Sequence, residues 1–247
     1  MERTQADIAV CNYFSTKSKV PKLYDHGFGN SVIQGTDIID RYISAFYTGK
    51  AMGFNTVWNK LYQSSLIHEH SIAFDESRKK GEDGFFILLA ALHTRRIAFT
   101  EEALCYYTSN TASLTHTFER GRMTASEYNI KEALELNESF FHLDIDFNAF
   151  YRNIIIHAII IMSDAFILKR NDRWEVFDEF YHSAFFRGLI QYDRFAPLYA
   201  KALFNAIRAN QRTLSGIFIK GIAVLRKLRH YNDRPEYREQ NPEDRGT

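Results

Sequence analysis

The chain has 247 residues, 45% hydrophobic and 25% charged, with a formal net charge of +1. That is the profile of an ordinary globular protein, long enough to bury a sizeable core in one or two domains. The near-neutral balance excludes a strong whole-molecule field for polyanions such as nucleic acids, and 4 prolines with 12 glycines exclude long flexible linkers. The 21 phenylalanines and 14 tyrosines suit either a dense core or sugar-stacking surfaces, with the core as the default.

The first readable element is Ala6 to Phe14, ADIAVCNYF, an apolar strand of the kind found inside a sheet. Thr16 to Asn30 is polar and glycine-bearing and reads as a loop. Gly35-Thr36-Asp37 supplies a helix start for Ile38 to Tyr47, where Ile39, Tyr42, Ile43 and Phe46 recur at helical spacing. Val57 to Ile67 reads as a helix or a turn plus helix, and Ile72 to Phe74 as a short extended piece. Gly84 to His93 is a strong apolar helix led by Glu82 and Asp83. Ile97 to Phe99 and Leu104 to Tyr107 read as short strands split by Glu101-Glu102.

Beyond Thr117 helical periodicity dominates. Helices are expected near Ser126–Phe141, Phe147–Leu168, Trp174–Leu189, Phe195–Asn210 and Leu214–His230, followed by a polar tail that reads as disordered. The expected organisation is an α/β part over residues 1–120, a helical part over 121–232 and a tail over 233–247.

Cys11 and Cys105 stand far apart, without CxxC spacing or a histidine at ligand spacing, and read as reduced, buried cysteines of a cytosolic protein. MERTQADIAV has no charged-then-apolar leader pattern. Asn153 to Leu168, the most apolar stretch, is interrupted by His157 and Asp164 and is shorter than the ~20 residues a spanning helix needs. No spanning segment is expected.

From Arg194 to Asn232 there are eight Arg and Lys and no acidic residue. In the last helix Leu214, Ile217, Phe218, Gly221, Ile222, Leu225 and Leu228 form one apolar stripe, with Lys220, Arg226, Lys227 and Arg229 mostly beyond it. Two readings stand side by side: a basic amphipathic helix on an anionic membrane surface, or an ordinary packing helix. Basic residues without interleaved stacking aromatics give no support for nucleic-acid binding.

The chemistry centres on Glu82 and Asp83, which follow Gly81 at a helix start. A carboxylate there is held ionised by the helix dipole and free backbone N–H groups, as a general base requires. The same pair could simply cap the helix. Trp58, with Lys60 beside it, could be a stacking platform or a buried indole next to a solvated amine. Asp144-Ile145-Asp146 falls between two expected helices with no strand before it, and reads as a loop and helix cap. No glycine-rich phosphate loop and no Ser/His/Asp or Cys/His order stands out.

Several strings occur in one order: ADIAVCNYF, then Trp58-Asn59-Lys60-Leu61-Tyr62, Phe74-Asp75-Glu76, Gly81-Glu82-Asp83 and its helix. Glu102-Ala103-Leu104-Cys105-Tyr106-Tyr107 and Ser113-Leu114 complete the series. Over roughly residues 5 to 117 this series resembles the acceptor-side half of family 2 glycosyltransferases, nucleotide-sugar enzymes with the GT-A fold. The resemblance implies an α/β class, here an incomplete GT-A-like unit followed by a mainly helical extension. It implies Asp83, with Glu82 beside it, as base in an inverting transfer of hexosyl type. The donor would be a nucleotide-diphosphate sugar and the acceptor a glycan or lipid-linked glycan of cell-surface polysaccharide synthesis.

The resemblance also gives Trp58, Lys60 and Tyr107 places around the acceptor or phosphates. It puts His116 where some relatives have a metal-ligating or phosphate-contacting residue, although by itself this residue reads as a surface-loop histidine. The family's donor-binding half, with the DxD motif that holds a divalent cation (Mg or Mn), is expected to be missing, and MERTQAD looks like the end of the helix that follows that motif. The expectation is therefore a fragment with weak or absent activity alone, either one chain of a split enzyme whose donor-binding half is carried separately or the product of a truncated reading frame. It would be cytoplasmic and peripheral on the inner face of the cell membrane. The alternative is a non-catalytic membrane- or partner-docking module derived from such an enzyme.

Overall fold

In the computed structural model, which describes residues 1–16, 20–48, 55–76, 78, 81–108, 122–145, 147–167, 171–196 and 198–230, the apolar run IAVCNYFS forms strand β1 (Ile8–Ser15). β2 (Lys22–Tyr24), β3 (Ser31–Gln34), β4 (Lys60–Tyr62) and β5 (Arg96–Tyr107) complete its sheet. A strand with little polar face must be covered on both faces and paired on both edges. Parallel β5 runs along one edge of β1 from Ile8 to Ser15. Two short antiparallel strands share the other edge, β4 against Ile8–Val10 and β2 against Tyr13–Ser15. β3 is antiparallel to β5 on its outer side.

A parallel pair needs a crossover. Here the chain passes through a wide helical turn (Ile38–Ile43) that runs into α1 (Ser44–Thr48), then β4, α2 (Ser64–Glu69) and α3 (Glu82–His93) before reaching β5. Helix α3 buries Phe86, Ile87, Leu88, Ala90 and Ala91, and Ile8, Val10, Ile33, Tyr42, Ile43, Ile97 and Phe99 are likewise buried. Each such large side chain contributes about 1.5–3 kcal/mol on burial.

The described residues divide into two compact units: Met1–Ser109 with Tyr128–Asp146, and Asn110–Glu127 with Phe147–Thr247. Helix α4 (Arg122–Leu136) enters the first unit from Tyr128 onward and closes in a wide turn at Asn137–Phe141. There the buried Arg78 guanidinium meets Glu132 and Asn129 of α4, lies near Asp75, and stacks over the rings of Phe85 and Tyr128. Removing Glu132 would leave the buried guanidinium short of a charged partner, a destabilising change softened by Asp75 and Asn129.

The second unit is helical: α5 (Phe147–Ile167), α6 (Arg173–His182), α7 (Ala184–Leu189), α8 (Leu198–Arg208) and α9 (Arg212–His230). Helix α5 is long and apolar enough to cross a membrane by length and composition, although half of that stretch is buried within the protein. It buries Ile154, Ile155, Ala158, Ile159, Ile161, Met162 and Ala165. Its Asp164 pairs with Arg226 of α9 at 2.9 Å, beside Ser163. Trp174 is enclosed by Phe166, Phe177, Arg212 and Lys220.

The architecture is mixed α/β, as expected, with α4 from Tyr128 onward grouped with the sheet-bearing unit. Details differ for local reasons. Val57–Ile67 is not one helix: Lys60–Tyr62 pairs with β1, and α2 starts only at Ser64. The two strands around Glu101-Glu102 are one strand, β5, with both glutamates exposed at an interruption of its ladder to β1. Lys22–Tyr24, expected as loop, is recruited by the far half of β1. MERTQAD forms a single turn rather than a helix end, with Gln5 at φ 51°. Trp174–Leu189 breaks at extended Ser183, whose hydroxyl accepts from Phe186 N–H at 3.1 Å and caps α7. The single stripe on the last helix is two faces: Ile219, Ile222 and Ala223 are buried, whereas Leu214, Ile217, Val224 and Leu225 are exposed.

Gly81 stands before α3 at φ 84°, and a Cβ there would collide with the Asn129 side chain of α4. Gly81→Ala is expected to lower the unfolding free energy by roughly 1–3 kcal/mol in urea titration. Gly27, at φ 78° with open space around it, should lose less on the same substitution. Equal losses at the two positions would count against the Asn129 contact.

Candidate active site

The site is built on the turn that leads into β4. Thr56 Oγ1 donates to Asn59 Oδ1 at 2.9 Å, and Lys60 N–H donates to Val57 O at 3.2 Å. The Asn59 amide nitrogen donates to Cys11 O at 3.1 Å, while Cys11 N–H donates to Asn59 O at the same distance. Asn59 is only 2% exposed, so this exchange anchors the turn to the buried strand β1.

Lys60 closes the turn from inside. Its Nζ donates to Thr56 O at 2.5 Å and to Asn59 Oδ1 at 2.9 Å, and the residue is 8% exposed. Burial lowers its pKa to about 7, against the opposing pull of Asp83 and Cys11. Lys60 therefore points into the protein.

Asp83, in the first turn of α3, meets the same turn from the other element. Its Oδ2 accepts from Val57 N–H at 3.4 Å, outside its own helix. Burial raises the Asp83 carboxyl above the usual carboxylate range; the Val57 N–H lowers it, Glu82 raises it and Lys60 lowers it. Glu82 Oε2 is itself buried and accepts no hydrogen bond among the described residues.

Next to Val57, Trp58 stacks on Tyr107 of β5 with ring centroids 5.5 Å apart and planes 16° from parallel. Tyr13 of β1 meets the indole edge-on at 4.7 Å and stacks in turn on Tyr24 of β2 at 5.0 Å. Trp58 is 36% exposed, so the ring is held by aromatic neighbours with part of its surface in solvent. An open cavity of about 450 Å³ lies here, lined by Trp58, Cys105, Tyr106, Tyr107 and Thr108. Asp83 does not line it; its hydrogen bond is to Val57, the residue before Trp58.

Glu82, Asp83, Trp58, Lys60 and Tyr107 thus gather around one turn, whereas His116 and Ser113-Leu114 lie outside the described residues. Among the described residues no group of three or more His, Cys, Asp or Glu side chains could hold a metal ion. In the Asp144-Ile145-Asp146 string, Ile145 is buried, Asp144 is exposed, and Asp146 lies outside the described residues. Sequence reasoning missed Asn59, which stood in a quoted string without a role. It also missed Asn12 and His26, which bridge the interruption in the β1–β5 ladder: Asn12 Nδ2 donates to Glu101 O, His26 N–H donates to Asn12 Oδ1, and His26 Nε2 lies 2.9 Å from Thr100 O. Cys11 was expected to be buried and is, but Cys105 is half-exposed.

With this geometry in hand, the chain can be set beside known proteins. No family model matches it. It is 26% identical over 118 residues to EpsH of Bacillus subtilis (strain 168), named as a candidate glycosyltransferase; the match covers 47% of this chain and 33% of EpsH. It is 28% identical over 124 residues to the glycosyltransferase GlyA of Streptococcus pneumoniae serotype 4, covering 49% of this chain and 17% of GlyA. The chain therefore spans well under two thirds of these curated relatives. Among solved structures, S. aureus TarS 1-349 in complex with UDP-GlcNAc superposes with a TM-score of 0.52 at 17% identity, covering 89% of this chain and 61% of that one.

The chain shares its fold with TarS. Its sequence, over about half its length, is similar to proteins named as glycosyltransferases.

The buried amine makes the turn testable. With a folded pKa near 7 against an ordinary 10.5, Lys60 binds fewer protons folded than unfolded between those values. This group therefore makes stability rise with pH across that window. Lys60→Met is expected to flatten the rise, read by urea unfolding at stepped pH. An unchanged slope would mean the ammonium is solvated.

Proposed function

We propose that the chain is the acceptor-side part of an inverting, family 2-like glycosyltransferase that uses a nucleotide-diphosphate sugar, with Asp83 as its base. The carrying observation is that Asp83, its carboxyl raised by burial, is tied through Val57 to the turn that holds Trp58 against Tyr107. In this reading a glycan acceptor lies over the aromatic pair. Its hydroxyl gives up a proton to Asp83 as the oxygen bonds to the anomeric carbon, and the bond to the departing nucleoside diphosphate breaks. A carboxylate whose pKa burial has raised is a stronger base for that proton than an ordinary one. Glu82 raises Asp83 further. Lys60, turned inward, acts on the turn rather than on phosphate.

The similarity to EpsH and GlyA and the fold shared with TarS, crystallised with UDP-GlcNAc, support this reading and suggest a UDP-linked sugar as donor class. In this reading Mg or Mn would be held by the family's donor-binding part, which would lie on a further segment or a separate chain. The acceptor proposed is a glycan or lipid-linked glycan of cell-surface polysaccharide synthesis.

Given UDP-GlcNAc and Mg or Mn, the purified chain alone is expected to release no UDP, and turnover by it would sink the fragment reading. In a complete form, Asp83→Asn is expected to lower kcat about 10²–10⁴-fold; an unchanged kcat would remove Asp83 as base.

One observation favours a second reading, a docking module. Leu214, Ile217, Val224 and Leu225 are exposed along the outer face of α9, with exposed Lys220 and half-exposed Lys227 on its flank. Apolar side chains flanked by cations suit an anionic membrane surface, each Lys adding about 1 kcal/mol. On this reading the protein is cytoplasmic and lies on the inner face of the cell membrane. The chain should co-sediment with phosphatidylglycerol vesicles and not with phosphatidylcholine vesicles, and Ile217→Glu with Leu225→Glu should abolish this. Indifference to lipid charge, or binding that survives the double substitution, would rule the surface out.

A further inference from the structure

Two thiols that are 94 positions apart in the chain meet beside the cavity. Cys105 Sγ lies 3.9 Å from Cys11 Sγ, across the junction of β5 with β1. Both are free thiols; Cys11 is buried and Cys105 is half-exposed, its side chain forming part of the cavity wall. Each sulfur also sits against a carbonyl of the site turn: Cys11 donates to Asn59 O at 3.5 Å and Cys105 to Trp58 O at 3.6 Å.

We propose that Cys105 and Cys11 form a reversible dithiol–disulfide pair in the wall of the candidate site, with Cys105 the thiol that reacts first and Cys11 the one that resolves it. The oxidant class is a small-molecule disulfide. The Cys105 thiolate attacks one sulfur of that disulfide, a protein–small-molecule S–S bond forms, and the first small thiolate leaves. The Cys11 thiolate then attacks Cys105 Sγ, the protein S–S bond forms, and the second small thiolate leaves with its proton from solvent. Two protein thiols are oxidised and one small disulfide is reduced to two thiols.

Three features assign this order and make closure feasible. Only Cys105 opens onto a cavity large enough to admit a reagent. Cys11 is already within van der Waals range behind it, so the second step needs only ~2 Å of approach to reach bonding distance. That approach falls where the backbone can yield. The ladder is regular from Ile8↔Ile97 to Cys11↔Thr100, shifts register around Asn12↔Ala103, and resumes at Tyr13↔Cys105. Such a bulge bends more readily than a regular pair. Burial raises the Cys11 thiol, and the neighbouring Cys105 raises it further, so resolution accelerates as pH rises. Once both sulfurs are joined, neither has a hydrogen to give, and the Trp58 and Asn59 carbonyls lose these partners. Oxidation is therefore felt at the turn that holds Asp83 and Trp58.

The inference is independent of glycosyl transfer and is tested without it. The reduced chain is exposed to oxidised glutathione, quenched with iodoacetamide, and examined by intact mass and peptide mapping. The expected product has lost two hydrogens, keeps no glutathione, links the Cys11 and Cys105 peptides, and returns to dithiol with dithiothreitol. Cys11→Ser is expected to retain one glutathione at Cys105, and Cys105→Ser to react roughly ten-fold more slowly or not at all. A lasting glutathione adduct on the wild-type chain with Cys11 still alkylated, first reaction at Cys11, a covalent dimer, or two inert thiols would each overturn it. The wild-type mass decides even if a variant fails to fold.

Discussion

A single buried amide holds the candidate site together. The side chain of Asn59 donates to the backbone of β1 and accepts from Thr56 and Lys60, while its own carbonyl receives the Cys11 N–H. Without it, a polar turn could not lie against a strand this apolar, because its donors and acceptors would be desolvated without partners. With it, the turn becomes a rigid bracket that sets Val57 N–H toward Asp83 and the Trp58 ring over Tyr107. The inward Lys60 belongs to the same bracket. Placing an amine there is costly, and its lowered pKa expresses that cost.

Most of the fold's outline could be read from the chain. The apolar run at Ile8–Ser15, the helix behind Glu82-Asp83 and the helical second half all appear where periodicity and breakers put them. The failures share a cause. Lys60–Tyr62 and Lys22–Tyr24 are three-residue strands with no period of their own, and they extend only because β1 offers an unpaired edge. β5 looked like two strands because two charged residues interrupt its apolar pattern, yet they merely face solvent at a bulge. Within the site, the adjacency of Trp58, Lys60 and Asp83 was accessible through an ordered resemblance. The direction in which Lys60 points was not, since a lysine beside a tryptophan carries no local sign of burial. The approach of Cys11 to Cys105 depends wholly on strand pairing, which spacing cannot reveal.

The helical unit shows how composition can mislead about charge. The basic run from Arg194 to Asn232 looks like a cationic surface, but two of its members are spent internally. Arg212 makes a two-pronged contact with Asp178, and Arg226 reaches across to Asp164 of α5. Among the described side chains of α9, those facing outward include a row of aliphatic residues with Lys220 and Lys227 alongside. The apolar content of α9 is likewise divided between an inner face that completes the core with α5 and α8 and an outer face that meets solvent.

The chain contains 2 tryptophans, and the fold gives one to each compact unit. Trp58 sits among tyrosines with part of its ring in water, whereas Trp174 is wrapped by phenylalanines and two cationic side chains. The protein thus carries an intrinsic fluorophore in each unit, in chemically distinct surroundings and separable by a single Trp→Phe replacement. Each half of the chain can therefore report its own melting, and whether the two signals coincide measures directly how far the sheet-bearing and helical units depend on one another to stay folded.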